Sequence, residues 1–91
     1  MKLTDEVWLS PDVVTRAIGE ETMLLDLASG TYYGLDAVGA QFVSLVQQGK
    51  SALEARDALL EIYDVETEVI DRDLEALLDS LSLRGIVRAN H

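Results

Sequence analysis

The stretch LLDLASGTYYGLDAVGAQFVSLVQQG, residues 24–49, decides the fold. Its first twelve residues suit two strands joined by a tight Ser29-Gly30 turn. The apolar spacing then changes from two to 3.6 residues, which predicts an amphipathic helix that Asp36 caps and Gly49 ends. The stretch therefore predicts a hairpin that leads directly into a helix.

A further strand precedes this hairpin. The segment VVTRAI, residues 13–18, is β-branched and partly alternating, which is typical of a strand. Together with strands predicted over residues 22–28 and Thr31–Leu35, it gives a three-stranded antiparallel meander.

The two ends of the chain give weaker patterns. Pro11 argues against a central strand, so we interpret residues 1–12 as an edge segment or an extended arm. Trp8 is predicted to pack onto the surface of the sheet or a helix. Gly85 ends the last helix, and Ile86-Val87 is predicted to add a few extended residues.

Three helices follow the meander, which predicts an α+β fold whose helical part is similar to a winged helix-turn-helix. Ser51 and Glu54 form an S-x-x-E capping box at the start of the second helix, and the third is predicted over residues 66–84. Gly39, inside the first helix, indicates close approach to a neighbouring element. The predicted buried residues are Val38, Phe42, Leu45 and Val46, then Ala55, Ala58, Leu59 and Ile62, then Ile70, Leu74, Leu77, Leu78 and Leu81.

Composition excludes several classes of partner. The chain has 17 acidic and 7 basic residues and a net charge of −10, whereas nucleic-acid binding depends on Lys and Arg placed against phosphates. There is no cysteine, no signal peptide is evident, and no apolar run is long enough to span a membrane. We therefore expect one cytoplasmic domain over residues 1–91, with its core at about 12–87, and neither nucleic acid nor membrane as partner.

Side chains suited to catalysis are missing as well. His91 is the only histidine and the last residue, a position that argues against a general base. Zinc sites need more cysteines or histidines than this, and no glycine-rich phosphate loop is present. The carboxylates fall in runs typical of solvated surface. We predict a protein that is not an enzyme and holds no metal and no cofactor.

The strand Thr31–Leu35 is short, aromatic and nearly uncharged, and it is an edge of the predicted meander. Such an edge is used in peptide recognition by strand addition, where backbone bonds give affinity and neighbouring pockets give specificity. The alternative is that Tyr32 and Tyr33 only pack on a face of the sheet. The sequence pattern leaves both interpretations open.

Several short motifs follow one another in a fixed order along residues 12–87. They are Leu25-Asp26-Leu27, Gly30-Thr31-Tyr32-Tyr33-Gly34-Leu35-Asp36, Gly39, Gly49, Asp73-Leu74, Leu77-Leu78, Leu81 and Gly85-Ile86-Val87. This ordered set resembles the PqqD-like family, the leader-peptide recognition elements of ribosomally made and modified peptides. Asp36 stands where PqqD itself commonly has Asn, and the YxGLD form is similar to the stand-alone recognition proteins of lasso-peptide clusters.

The resemblance implies a winged-helix-like domain of three strands and three helices. A precursor's leader peptide would add as a strand beside the third strand, in the groove against the third helix, and present a Tyr, a Pro and a Leu to apolar pockets. The bound leader would be delivered to a separate cysteine peptidase, which removes it. An asparagine-synthetase-like cyclase would then close the ring, so this chain would catalyse neither step.

Carried onto this sequence, the resemblance implies that the backbone of Thr31–Leu35 pairs with the leader. Tyr33 would form a groove wall if its face points to the third helix, but parity alone does not choose between Tyr32 and Tyr33. Asp73 would pair with a basic leader residue or lie in solvent, and Leu77 would form a pocket floor or core. The implied peptide-binding residues are Thr31, Tyr32, Tyr33, Gly34, Leu35, Val69, Asp73, Ala76, Leu77 and Ser80.

Two other functions compete with leader binding. The helix order suggests a winged helix-turn-helix DNA-binding regulator, which would need basic residues on its recognition helix. The third predicted helix instead has two arginines, Arg72 and Arg84, among six acidic residues. A small enzyme or carrier protein would need a nucleophile, a metal or a modified serine in a defined loop, and the sequence shows no such loop.

Overall fold

The computed structural model describes residues 1–90, so His91 lies outside the described residues. The elements in chain order are β1 (Glu6–Leu9), β2 (Val13–Ile18), β3 (Glu21–Asp26), β4 (Thr31–Leu35), α1 (Ala37–Gln47), α2 (Ala52–Ile62), α3 (Thr67–Leu83) and β5 (Val87–Asn90).

The predicted meander is confirmed: β2, β3 and β4 form an antiparallel sheet in that order. The turn between β3 and β4 is held by Asp26, whose carboxylate accepts from the Ala28 N–H at 3.1 Å and from the Ser29 hydroxyl at 3.0 Å. Its carbonyl oxygen also accepts from the Gly30 N–H at 2.8 Å. Because the turn takes up residues 27–30, β3 ends at Asp26, two residues earlier than predicted.

The two chain ends form a second sheet that the sequence did not predict. β1 pairs with β5 in antiparallel register, with Val7 opposite Ala89 and Trp8 opposite Arg88. Of the two interpretations of the N-terminal segment, the edge segment therefore applies: Glu6–Leu9 is a strand of a two-stranded sheet and not an extended arm. Trp8 remains 45% exposed, so the predicted packing covers only about half of its surface.

The helix ends follow the predicted capping residues. The Asp36 carboxylate accepts from the Gly39 N–H at 2.7 Å and caps α1. At the start of α2, the Ser51 hydroxyl accepts from the Glu54 N–H at 3.1 Å and the Glu54 carboxylate accepts from the Ser51 N–H at 2.9 Å. Gly49 has a φ of 98°, the left-handed conformation that lets the chain leave α1 without side-chain strain.

The core lies between the meander and the helices and extends to the ends of the chain. α3 buries Ile70, Leu74, Leu78 and Leu81 as predicted, whereas Leu77 is only partly buried. The prediction for Ile62 is wrong: it is 59% exposed, because α2 ends there and the chain continues in extended conformation at Tyr63. The buried apolar residues are Leu3, Val13, Leu24, Leu35, Phe42, Val43, Ala52, Ala55, Leu59, Ile70, Leu74, Leu78, Leu81, Ile86 and Val87.

The capping box of α2 yields a stability prediction. Replacing Ser51 with Ala removes the acceptor of the Glu54 N–H and should lower the free energy of unfolding by about 1 kcal/mol, measured by urea denaturation. The backbone N–H of Ser51 and then its hydroxyl lower the pKa of Glu54 from its ordinary value of 4.5. The contribution of the Glu54 carboxylate is therefore present above pH 4.5 and is lost as the pH falls through the lower folded-state pKa.

The control for this pH dependence is Glu54→Gln, whose neutral side chain still accepts from the Ser51 N–H. This variant should lose the part of the acid dependence that Glu54 supplies. An unfolding profile between pH 5 and pH 2 that is identical in wild type and Glu54→Gln would contradict the assignment, as would an unchanged stability of Ser51→Ala.

Candidate functional site

The outer edge of β4 is open. β4 pairs with β3 on one side, and within residues 1–90 no strand pairs with its other side. The strand begins after the Asp26 turn and ends at the cap of α1, so its position is fixed at both ends. A row of backbone N–H and C=O groups is therefore held in extended geometry and faces away from the sheet.

The register indicates which backbone groups face outward. Leu27 donates its N–H to the Asp12 carbonyl oxygen on the β2 side, at 3.0 Å, while the Asp26 carbonyl oxygen faces the β4 side. Because backbone groups alternate along a strand, Thr31, Tyr33 and Leu35 direct theirs to β3. The N–H and C=O groups of Tyr32 and Gly34 consequently point to the open edge.

A groove of about 240 Å³ runs between β4, the start of α1 and α3. Most of the residues around it are apolar, and two carboxylates, Asp36 and Asp73, lie among them. The lining residues are Tyr33, Gly34, Leu35, Asp36, Val38, Gly39, Val65, Val69, Ile70, Asp73, Leu74 and Leu77.

The depth of the groove depends on how closely α1 approaches α3. A Cβ atom added to Gly39 would lie 3.4 Å from Leu77 Cδ2, 3.5 Å from Leu35 Cδ2 and 3.1 Å from Asp36 Oδ1. These distances confirm the predicted close approach at Gly39. On the far side of α3, the Arg56 Nη1 donates to both carboxylate oxygens of Asp71 at 2.8 and 2.9 Å and ties α2 to α3.

The two tyrosines of β4 lie on opposite faces of the sheet. Tyr33 is opposite the fully buried Leu24 and lines the groove, while Tyr32 is 64% exposed on the other face. The guanidinium of Arg84, the C-cap residue of α3, lies over the Tyr33 ring with its Cζ 4.9 Å from the ring centroid. Of the two candidates, the structure therefore brings Tyr33 to the groove.

On α3 the groove is lined by Val69, Asp73 and Leu77, which are spaced four residues apart and share one line along the helix. Ala76 and Ser80, predicted for the same line, lie outside the lining because three-residue steps from Asp73 turn away from β4. Thr31 and Tyr32 also lie outside it. Six of the ten predicted residues are thus assembled around one groove, and the other four lie outside its lining.

Sequence reasoning missed several lining residues. Ile70 and Leu74 were predicted as core, and they are indeed buried, yet they also form the groove floor. Val65 precedes α3 in a segment without periodicity, so the sequence carried no signal for it. Asp36 was predicted as a helix cap alone. The Gly34-Leu35-Asp36 motif could have indicated that Asp36 also lies at the groove, since a helix cap directly after an edge strand must lie at the end of that edge.

Among residues 1–90, no group of three or more histidine, cysteine, aspartate or glutamate side chains is placed to hold a metal ion. No helix in that part is long and apolar enough to cross a membrane.

The chain belongs to the PqqD family, since the family model for coenzyme PQQ synthesis protein D matches residues 21–87. Among solved structures, "TbiB1 in complex with the TbiA(beta) leader peptide" is 37% identical and superimposes with a TM-score of 0.80, covering 92% of this chain and 98% of that chain. "Lasso peptide synthetase B1 complexed with the leader peptide" is 30% identical, with a TM-score of 0.77 and coverage of 91% and 98%. No curated protein matches this sequence.

Proposed function

We propose that this protein is a non-catalytic adaptor that binds the leader region of a ribosomally synthesised precursor peptide, and that this precursor is that of a lasso peptide. The single observation that carries the proposal is the open β4 edge beside an apolar groove. Both relatives were solved with a leader peptide.

The leader adds as a strand to β4. Its backbone bonds to the outward N–H and C=O groups of Tyr32 and Gly34, which gives affinity without dependence on sequence. Alternate side chains of the added strand point toward α3 and enter the groove between Tyr33, Val69 and Leu77. Specificity comes from the apolar side chains that fill this groove.

The adaptor then presents the bound leader to a leader-removing cysteine peptidase and to an asparagine-synthetase-like cyclase. Strand addition leaves the rest of the precursor outside the groove, where separate enzymes have access to it. The whole assembly works in the cytoplasm, where precursors are made. Both relatives are complexes with a leader peptide, which supports the precursor as partner, while the peptidase and the cyclase rest on the resemblance to lasso-peptide recognition proteins.

The open edge favours this function over a DNA-binding regulator. α3 would be the recognition helix of a winged helix-turn-helix, yet in this fold it forms the groove wall and contributes Asp73 to it. A chain of net charge −10 also lacks the cationic surface that duplex binding needs. Tight, salt-sensitive binding to duplex DNA would reverse this preference.

The direct test is calorimetric titration with a synthetic peptide that covers the leader of the precursor gene adjacent to this one. We expect saturable one-to-one binding and amide chemical-shift changes confined mainly to β4 and to the groove-lining residues of α3. A scrambled peptide of the same composition is the control. Failure of every neighbouring leader to bind, or equal binding of the scrambled peptide, would overturn the proposed function.

A further inference from the structure

The Tyr33–Arg84 pair has the properties of a carboxylate receptor. The Arg84 guanidinium is stacked over the Tyr33 ring at 4.9 Å, and within residues 1–90 it makes no ion pair. A stacked guanidinium keeps its in-plane N–H donors available, and their fork matches the two oxygens of a carboxylate. Arg84 itself lies outside the groove lining, but its stacking on Tyr33, which lines the groove, holds these donors next to that residue.

The opposite charge lies further along the same groove. Asp73 lines the groove and is exposed, and among the described residues its carboxylate makes neither an ion pair nor a hydrogen bond. Asp36 lies at the same groove, although one of its oxygens already accepts from the Gly39 N–H. Both carboxylates line the same groove, so the groove favours a basic side chain over an acidic one.

The contacts fix the direction of this charge pattern. Moving from Tyr33 to Gly39, the nearest part of α3 changes from Arg84 back to Leu77, so α3 runs antiparallel to the β4–α1 path. A peptide strand antiparallel to β4, the pairing used throughout this sheet, therefore runs in the same direction as α3. Its earlier residues lie near Asp73 and its later residues near Arg84.

We propose that the groove reads charge as well as shape, with Asp73 selecting a basic leader residue and the Tyr33–Arg84 pair selecting an acidic residue that follows it. This inference rests on the proposed function. Asp73 and Arg84 are eleven positions apart, about 16 Å at the rise of a helix. An extended strand covers that distance in about five residues, so the acidic residue follows the basic one by roughly four to six positions.

The net negative charge of the protein means that binding of an acidic leader residue depends on the Tyr33–Arg84 pair. A chain of net charge −10 repels carboxylates at long range, so an acidic peptide residue is favoured only beside a local cation. Arg84 supplies that cation at the end of α3, stacked on the Tyr33 ring of β4. The basic leader residue, by contrast, is attracted by the negative charge of the whole protein, and Asp73 determines where along the groove it binds.

The test is a charge-exchange cycle measured by calorimetry with the adjacent-gene leader peptide and its variants. Arg84→Glu should weaken binding of the native leader about tenfold, the size of one lost charge-assisted hydrogen bond. Changing the acidic leader residue to Lys should weaken binding to wild type similarly, and the two changes together should recover most of the affinity. Asp73→Lys with a Glu in place of the basic leader residue gives the second cycle.

Arg88→Glu is the matched control, because it makes the same change in net charge on β5, away from the groove. Its affinity should be nearly that of wild type. If Arg84→Glu unfolds, Arg84→Gln replaces it as the test variant, because it removes the charge without reversing it. If the wild-type protein binds the native leader but neither double change restores affinity, this inference is overturned and the proposed function stands. The same holds if the leader binds and lacks the basic–acidic pair. Absence of leader binding would overturn the proposed function with it.

Discussion

Replacing Val69 with Arg is expected to weaken leader binding about 100-fold while the fold stays intact. Val69 lies on the groove-facing line of α3 and is 40% exposed, so a longer side chain there extends into the groove instead of the core. The space is only about 240 Å³, and an arginine in it takes the volume that leader side chains fill. A 100-fold loss equals about 2.7 kcal/mol, within the range of overpacking costs.

The stability of this variant should be close to that of wild type, because arginine has a higher helix propensity than valine. Ala76→Arg is the matched control: it adds the same charge to the same helix at an exposed position outside the groove lining. Calorimetry of both variants with the leader, together with thermal unfolding, separates a blocked groove from a damaged fold. Equal losses in the two variants would place the leader elsewhere on α3.

Most of the fold could be predicted because its signals are local. The turn between β3 and β4, the Asp36 cap and the Ser51–Glu54 box each involve residues within a few positions of one another. The two caps are present as predicted, and the turn is present but takes four residues, 27–30, where a tight Ser29-Gly30 turn was predicted. The β1–β5 pair is different. It joins four-residue strands from opposite ends of the chain, and nothing near Trp8 indicates that Arg88 lies beside it. Pairing over such a separation leaves no local pattern.

Local patterns also predicted which elements form the site, but they did not decide which side chains of those elements face the groove. Alternation places Tyr32 and Tyr33 on opposite faces, but the register with Leu24 decides which one meets the helices, and the Asp26 turn sets that register. On α3, a step of three residues from Asp73 leads to Ala76 and a step of four leads to Leu77. Only the orientation of the helix against Gly39 selects Leu77, and that orientation comes from tertiary packing.

Replacing Gly34 with Pro is expected to weaken leader binding by about 30- to 100-fold through the backbone alone. The Gly34 N–H points to the open edge, so proline removes a donor to the leader and places ring atoms where the leader carbonyl would lie. The bonds between β4 and β3 are kept, and proline is tolerated on edge strands. The lost donor leaves an unpaired acceptor on the leader, which accounts for about 1–3 kcal/mol of the effect.

Gly34→Ala is the control for this substitution, since it keeps the N–H and its Cβ would lie an ordinary 3.6 Å from Met23 Sδ. Its affinity should stay close to that of wild type. Amide hydrogen exchange of the unmodified protein gives an independent measurement if the proline variant unfolds. Without leader, the Tyr32 and Gly34 amides should exchange faster than those of Tyr33 and Leu35. Leader binding should slow the exchange of the Tyr32 and Gly34 amides. Because only alternate amides of β4 face the open edge, slowing confined to Tyr33 and Leu35 would rule out strand addition at this edge.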